Sequence, residues 1–220
     1  MLHRILILAA LLLGMGLARA AAPLPDALQA QLDRAVLDYE SGRHDAARQV
    51  FEQLARRRVP AAEYNLALMH LQRDVPRPDR AQARRLLERA AAGGFVTAQL
   101  LLAQQLESAG FGGRRDLVAA NRWYEQAARA GSVEGQVAIG TAFFLGRGAP
   151  KDMARAAQWY REAAKGGDIG AMYILASLYE HGDGVEQDLR LARYWYEAAA
   201  RGGDEAAPGK LKELEGRSGS

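Results

Sequence analysis

An all-α solenoid of about five antiparallel helix pairs is predicted for this chain, and three observations predict it. Trp123, Trp159 and Trp195, each followed by a tyrosine (Tyr124, Tyr160 and Tyr196), recur at intervals of 36 residues. The ends of these segments coincide too, in Ala127-Ala128, Ala163-Ala164 and Ala198-Ala199-Ala200, then in Gly131, Gly167 and Gly203. Within each segment apolar residues follow helical spacing and stop at a glycine-rich break. A fixed period near 36 marks a row of helix pairs in which no unit can bury its apolar face without a neighbour.

Residues 1–20 stand apart. His3 and Arg4 precede an uncharged run of 13 residues, Ile5 to Leu17, followed by the small-residue site Ala18-Arg19-Ala20. That pattern predicts a signal peptide cleaved after Ala20. A bilayer crossing needs roughly 20 apolar residues, so a membrane-spanning anchor is not expected.

The first unit, 26–58, places Ala35, Tyr39 and Gly42 before Ala47, Val50, Phe51 and Ala55, with a turn shorter than the later ones. In the second, 59–94, Ala62, Leu66 and Ala67 begin a helix expected to end near Arg73, and Pro76-Arg77-Pro78 makes a stiff turn. Asp79 then caps a helix through Ala83, Leu86, Leu87 and Ala90, with Gln82 at capping-box spacing. The third unit, 95–131, runs from Ala98, Leu102, Ala103 and Leu106 through Gly110-Phe111-Gly112-Gly113 to the cap Asp116, then Ala120, Trp123 and Tyr124.

The units 132–167 and 168–203 are the clearest. Gly135, Ile139, Gly140 and Phe143 lie on one helix face, as do Ala171, Leu175, Ala176 and Tyr179. The turns Gly146-Arg147-Gly148 and Gly182-Asp183-Gly184 break those helices. Asp152 and Asp188 then cap second helices that carry the Trp-Tyr pairs, whose placement opposite small residues points to packing between helix layers. Trp159, expected to lie buried between the layers, should cost more stability on truncation than any single substitution in the groove. Segment 204–220 closes the chain: Pro208 opens a short charged capping helix, and Arg217 to Ser220 are expected to be disordered.

Composition narrows the function. Without residues 1–20 the chain has 27 basic and 26 acidic side chains, a near-neutral balance that argues against nucleic acid as a partner. There is no cysteine, hence no disulfide, no thiol catalysis and no lipid-modified cysteine at the cleavage site. With no Asn-x-Ser/Thr acceptor either, a periplasmic or secreted bacterial protein fits best.

The segment Ala171, Leu175, Ala176, Tyr179, Gly182, Gly184, Val185, Asp188, Ala192, Trp195, Tyr196, Ala198, Ala199 resembles the Sel-one-like repeat family, a branch of the tetratricopeptide-type repeats. Ala176 stands where the family pattern has glycine, and Ala149 replaces valine in the preceding unit. The resemblance covers roughly residues 60–203 and weakens toward the start. It implies a right-handed α-α superhelix whose first helices line a concave surface, and proteins that act as adaptors or scaffolds.

No metal-protease, phosphate-loop or Ser-x-x-Lys pattern is present, and His44, His70 and His181 fall in different units, so neither catalysis, cofactor nor metal is expected. By analogy with tetratricopeptide arrangements, the inward-facing positions are Tyr64, Leu68 and Leu71; Leu100, Gln104 and Glu107; Val137, Thr141 and Phe144; Tyr173, Ser177 and Glu180. Such a row of partly apolar side chains facing water marks a recognition surface. A second candidate is the basic patch Arg56, Arg57, Arg58, Arg73, Arg77, Arg80, Arg84 and Arg85, suited to carboxylate or phosphate groups. The expected function is a non-catalytic periplasmic adaptor for a protein or peptide of the cell envelope. The alternatives are a polysaccharide-binding or cell-wall-processing protein, in which Tyr64, Phe144 and Tyr173 contact glycan, and a periplasmic regulator of a membrane sensor.

Overall fold

The computed structural model describes residues 24–218, so the expected signal peptide lies outside the described residues. Among them are eleven α-helices and no strand. They are α1 (Asp26–Glu40), α2 (His44–Arg56), α3 (Pro60–Gln72), α4 (Arg80–Ala92), α5 (Val96–Ser108), α6 (Leu117–Arg129), α7 (Val133–Leu145), α8 (Met153–Lys165), α9 (Ile169–His181), α10 (Leu189–Gly202) and α11 (Ala207–Ser218). Two compact units contain them, one reaching Arg115 and one beginning at Asp116. In the first, each of α1 to α4 packs on the helix that follows it; in the second, each of α6 to α10 does.

Helix ends follow from the sequence. The carboxylates of Asp79, Asp116, Asp152 and Asp188 accept backbone N–H groups of the turn that follows, Asp152 from Arg155 at 2.9 Å and Asp116 from Ala119 at 2.9 Å. Backbone donation holds the carboxyls of Asp79 and Asp188 below the usual range. Ser132, Asp168 and Asp204 cap α7, α9 and α11 in the same way. The capping box expected at Asp79 is not closed: Gln82 instead accepts from Arg85 at 2.8 Å. The Asp79 N–H donates to His70 Nδ1 at 3.2 Å.

The first helices α3, α5, α7 and α9 end on a left-handed residue, which is Gly146 after α7 and Gly182 after α9. The second glycine of each turn has a different task. Gly148 lies on the first residue of α6, where a Cβ would meet Leu117 Cβ at 2.7 Å, and Gly184 lies against the Met153–Ala154 backbone. These turns therefore stack one helix pair on its predecessor, and only glycine fits.

Alanines fill the seams, and tyrosines fill the space between layers. Tyr160 and Tyr196 are fully buried and Tyr124 nearly so, whereas Trp123, Trp159 and Trp195 are only half-buried. Trp159 is therefore not enclosed between the layers as expected, and Tyr160 beside it is. Neighbouring helical residues point about 100° apart, so Trp and Tyr cannot both face the middle of the layer. Gly140 makes the approach possible, since a Cβ there would touch Trp159 Cβ and the Tyr160 ring at 3.4 Å.

The capping helix α11 is half of a further unit. Asp204 and Ala207 stand 36 residues after Asp168 and Ala171, and Leu211 and Leu214 after Leu175 and Leu178. Ala207 and Leu214 are buried against the array. Lys212 and Glu215 occupy the places of Ala176 and Tyr179, so the side that would receive a second helix is charged. A polar outer face is what a terminal layer requires. The helix runs to Ser218, into the stretch expected to be disordered, while residues 219–220 lie outside the described residues.

Candidate functional site

In the first unit, α3 presents Tyr64, Leu68 and Leu71, and α5 presents Leu100, Gln104 and Glu107. Tyr64 and Leu68 are buried, contrary to the expectation that the row faces water. The Tyr64 ring meets Phe95 edge-on at 5.3 Å, and burial pushes its phenol up. Packing on the next helix pair takes up this side chain. Leu71, Leu100 and Glu107 are half-buried and Gln104 is exposed.

In the second unit, α7 contributes Val137, Thr141 and Phe144, and α9 contributes Tyr173, Ser177 and Glu180. All but Glu180 are half-buried. The buried tyrosines of the second helices reach this row from beneath. Tyr160 Oη lies 2.9 Å from Thr141 Oγ1, and Phe144 stands edge-on to the Tyr160 ring at 6.3 Å. Tyr173 stands edge-on to Tyr196 at 5.2 Å. Tyr196 Oη donates to Glu180 Oε2 at 2.8 Å, and burial together with that carboxylate pushes the phenol far above its ordinary range. Glu180 is 1 % exposed, so its assignment to an open surface is corrected. Lys210 of α11 approaches its Oε2 at 3.9 Å while bonding Glu213 at 2.9 Å. The cap thus supplies the charge that lets this carboxylate remain buried.

The basic patch divides. Arg56, Arg57 and Arg58 precede α3, whereas Arg73, Arg77 and Arg80 follow it, and a 13-residue helix is about 20 Å long. Arg84 is drawn to Glu88 at 2.8 Å and Arg85 to Asp79 at 3.8 Å. Closeness in sequence came from a short helix with arginines at both ends, so the eight residues do not make one surface.

Four consecutive stretches, residues 60–95, 96–132, 133–168 and 169–204, match the Sel1 repeat. The chain belongs to the Sel1 repeat family. It is similar to a protective antigen of uropathogenic Escherichia coli displaying the SLR fold, with 27 % identity and a TM-score of 0.75 over 85 % of this chain and 41 % of that one. A Sel1 repeat protein of Oxalobacter formigenes gives 27 % identity and a TM-score of 0.73 over 82 % of this chain and 74 % of that one. The chain thus spans less than half of the first of these proteins. No curated protein matches it. Sel1 repeats generally serve as protein-interaction scaffolds, and among the described residues no cluster of three or more His, Asp or Glu could hold a metal. No described helix is long and apolar enough to cross a membrane.

Sel1 register brings out a further series of equivalent residues. Glu63, Gln99 and Gln136 hold the same place on α3, α5 and α7, and all three are buried. Gln99 donates to Ala91 O at 3.1 Å and Gln136 to Ala128 O at 3.4 Å, each tying a first helix to the end of the preceding second helix. Glu63 cannot donate when ionised. It lies 2.9 Å from Arg89 and 4.0 Å from Arg58, and burial, outweighing both arginines, pushes its carboxyl up. Comparing the three positions across units would have revealed the series in the sequence.

Proposed function

We propose that this chain is a non-catalytic adaptor of the bacterial envelope that holds an extended protein segment along the first-helix row. The observation that supports this most directly is the surface on α7 and α9. There Phe144 and Tyr173 are half-buried on a floor of buried tyrosines, with Thr141 and Ser177 beside them. Rigid aromatics held from below lose little entropy when they contact a partner, and a few such anchors dominate interface energies. Export to the periplasm rests on the residues 1–20 pattern, and the partner is a protein because Sel1 units generally bind proteins. Val137 extends the same row on α7 with a smaller apolar contact.

The test is capture of envelope proteins by the chain, compared with a Phe144→Ser/Tyr173→Ser variant. Capture should fall at least tenfold, with thermal stability and helical signal close to the parent because neither side chain is fully buried. Undiminished capture by the folded variant would overturn the assignment to this row.

A further inference from the structure

The loops after α7 and α9 are built to one plan, and the loop after α3 departs from it three times at one place, whereas the loop after α5 departs with the apolar residues Ala109 and Leu106. The left-handed position held by Gly146 and Gly182 is held by Arg73, at φ 67. Such a conformation disfavours any side chain, and arginine gains nothing locally from adopting it. The first residue of the second helix, Leu117, Met153 or Leu189 in later units, is Arg80. The aromatic at Phe143 and Tyr179 is replaced by His70. His70, Arg73 and Arg80, with Leu71 and Pro78, line a cavity of about 260 Å³.

The charges around it are already assigned. Asp79 accepts from the Ala81 and Gln82 amides, and its second oxygen lies 3.8 Å from Arg85. Asp74 accepts from Tyr39 Oη at 2.6 Å and lies 3.9 Å from His44. Glu52 is bonded to Arg48 at 2.7 Å. Arg73 and Arg80 have no acidic partner among the described residues. The Asp79 N–H occupies His70 Nδ1, so the neutral ring carries its proton on Nε2. Burial holds this histidine below its ordinary range, which keeps it a neutral donor at pH 7.

We propose that the cavity at the α3–α4 turn is a binding site for a phosphoryl dianion, with Arg73 and Arg80 supplying the charge and His70 a neutral N–H. Two guanidinium groups without partners match a dianion, whereas one carboxylate would leave a charge uncompensated; planar guanidinium forks suit phosphate oxygens. None of the site's charged and polar groups, Arg73, Arg80 and His70, is a side chain of the α7 and α9 surface. Its phosphoryl group comes either from free phosphate or from a small phosphomonoester, and both place the same oxygens in the cavity.

The test is an NMR titration of the His70 imidazole in the chain at pH 7.5 and constant ionic strength, with inorganic phosphate, glycerol 3-phosphate and acetate. The comparison is Arg73→Gly/Arg80→Leu, which installs the residues other units use and so should fold at least as stably. Either phosphate compound should shift the His70 resonances saturably, acetate should not, and the double variant should bind at least tenfold more weakly. Tighter binding of glycerol phosphate identifies a monoester site, and tighter binding of inorganic phosphate a site for the free ion. No saturable shift with either, an equal response to acetate, or unchanged affinity in the folded double variant overturns the proposal.

Discussion

The turn after α9 and the turn after α3 occupy the same place in their units, and they are built for different ends. After α9, Gly182 takes the left-handed conformation without strain, and Gly184 lies flat on the Met153–Ala154 backbone. After α3, an arginine takes that conformation, Val75 replaces the second glycine, and prolines Pro76 and Pro78 stiffen the chain. The same contrast extends to the buried carboxylates. Glu180 has a tyrosine hydroxyl at 2.8 Å and a lysine from the cap, whereas Glu63 leans on an arginine that is 40 % exposed and on another at 4.0 Å. A repeat unit that keeps the shared pattern spends its residues on stacking. One that abandons it at several neighbouring positions has accepted local instability there, the place to look for binding.

The largest effect separating packing from decoration lies in the Trp-Tyr pair. Tyr160→Ala should destabilise the second unit by about 3 to 5 kcal/mol, and Trp159→Ala by distinctly less, because only the tyrosine is fully enclosed. Chemical denaturation of the two variants checks this, and a larger loss for Trp159 would reverse the reading of the layer.

Gly184→Ala should rank next, at about 2 to 4 kcal/mol, from left-handed strain combined with collision against the Met153–Ala154 backbone. Gly167→Ala, where a Cβ would meet open space at φ 93, should show the strain alone, about 1 kcal/mol. Equal losses in the two would mean that the turn does not carry the stacking.

The smallest and most diagnostic change is Glu63→Gln, which installs the amide found at Gln99 and Gln136. Because the folded carboxyl titrates above its unfolded value, its contribution to stability is present at low pH and is lost as pH rises through the folded value. The glutamine variant should therefore be more stable than the parent at pH 7, by about 1 kcal/mol, with the advantage fading as pH falls through the folded value and gone below pH 4.5. Thermal melts at several pH values measure it; a pH-independent difference would show that Glu63 is fully compensated by Arg89.

Helix pairs, aspartate caps and glycine turns were legible in the sequence because each is a local device with its own residue signature. Asp152 and Gly182 announce themselves. Which of two adjacent aromatics lies inside was not legible, since that depends on the rotation of α8 about its axis, set by the approach of Gly140. Burial of Tyr64, Leu68 and Glu180 was missed for a related reason. Their exposure depends on what the next element places over them, Phe95 in one case and Lys210 of the cap in another. The arginine patch failed because nearness along the chain says nothing of distance once a helix intervenes.

The cap's register has a consequence for how such a chain can be rebuilt. Asp204 and Ala207 repeat Asp168 and Ala171 at a spacing of 36 residues, so the junction after Gly203 is equivalent to the junction after Gly167. A copy of residues 168–203 spliced between Gly203 and Asp204 would meet α10 in front and α11 behind through contacts the molecule already makes. The chain is therefore a modular part with a built-in splice point, able to be lengthened by whole units without designing a new surface.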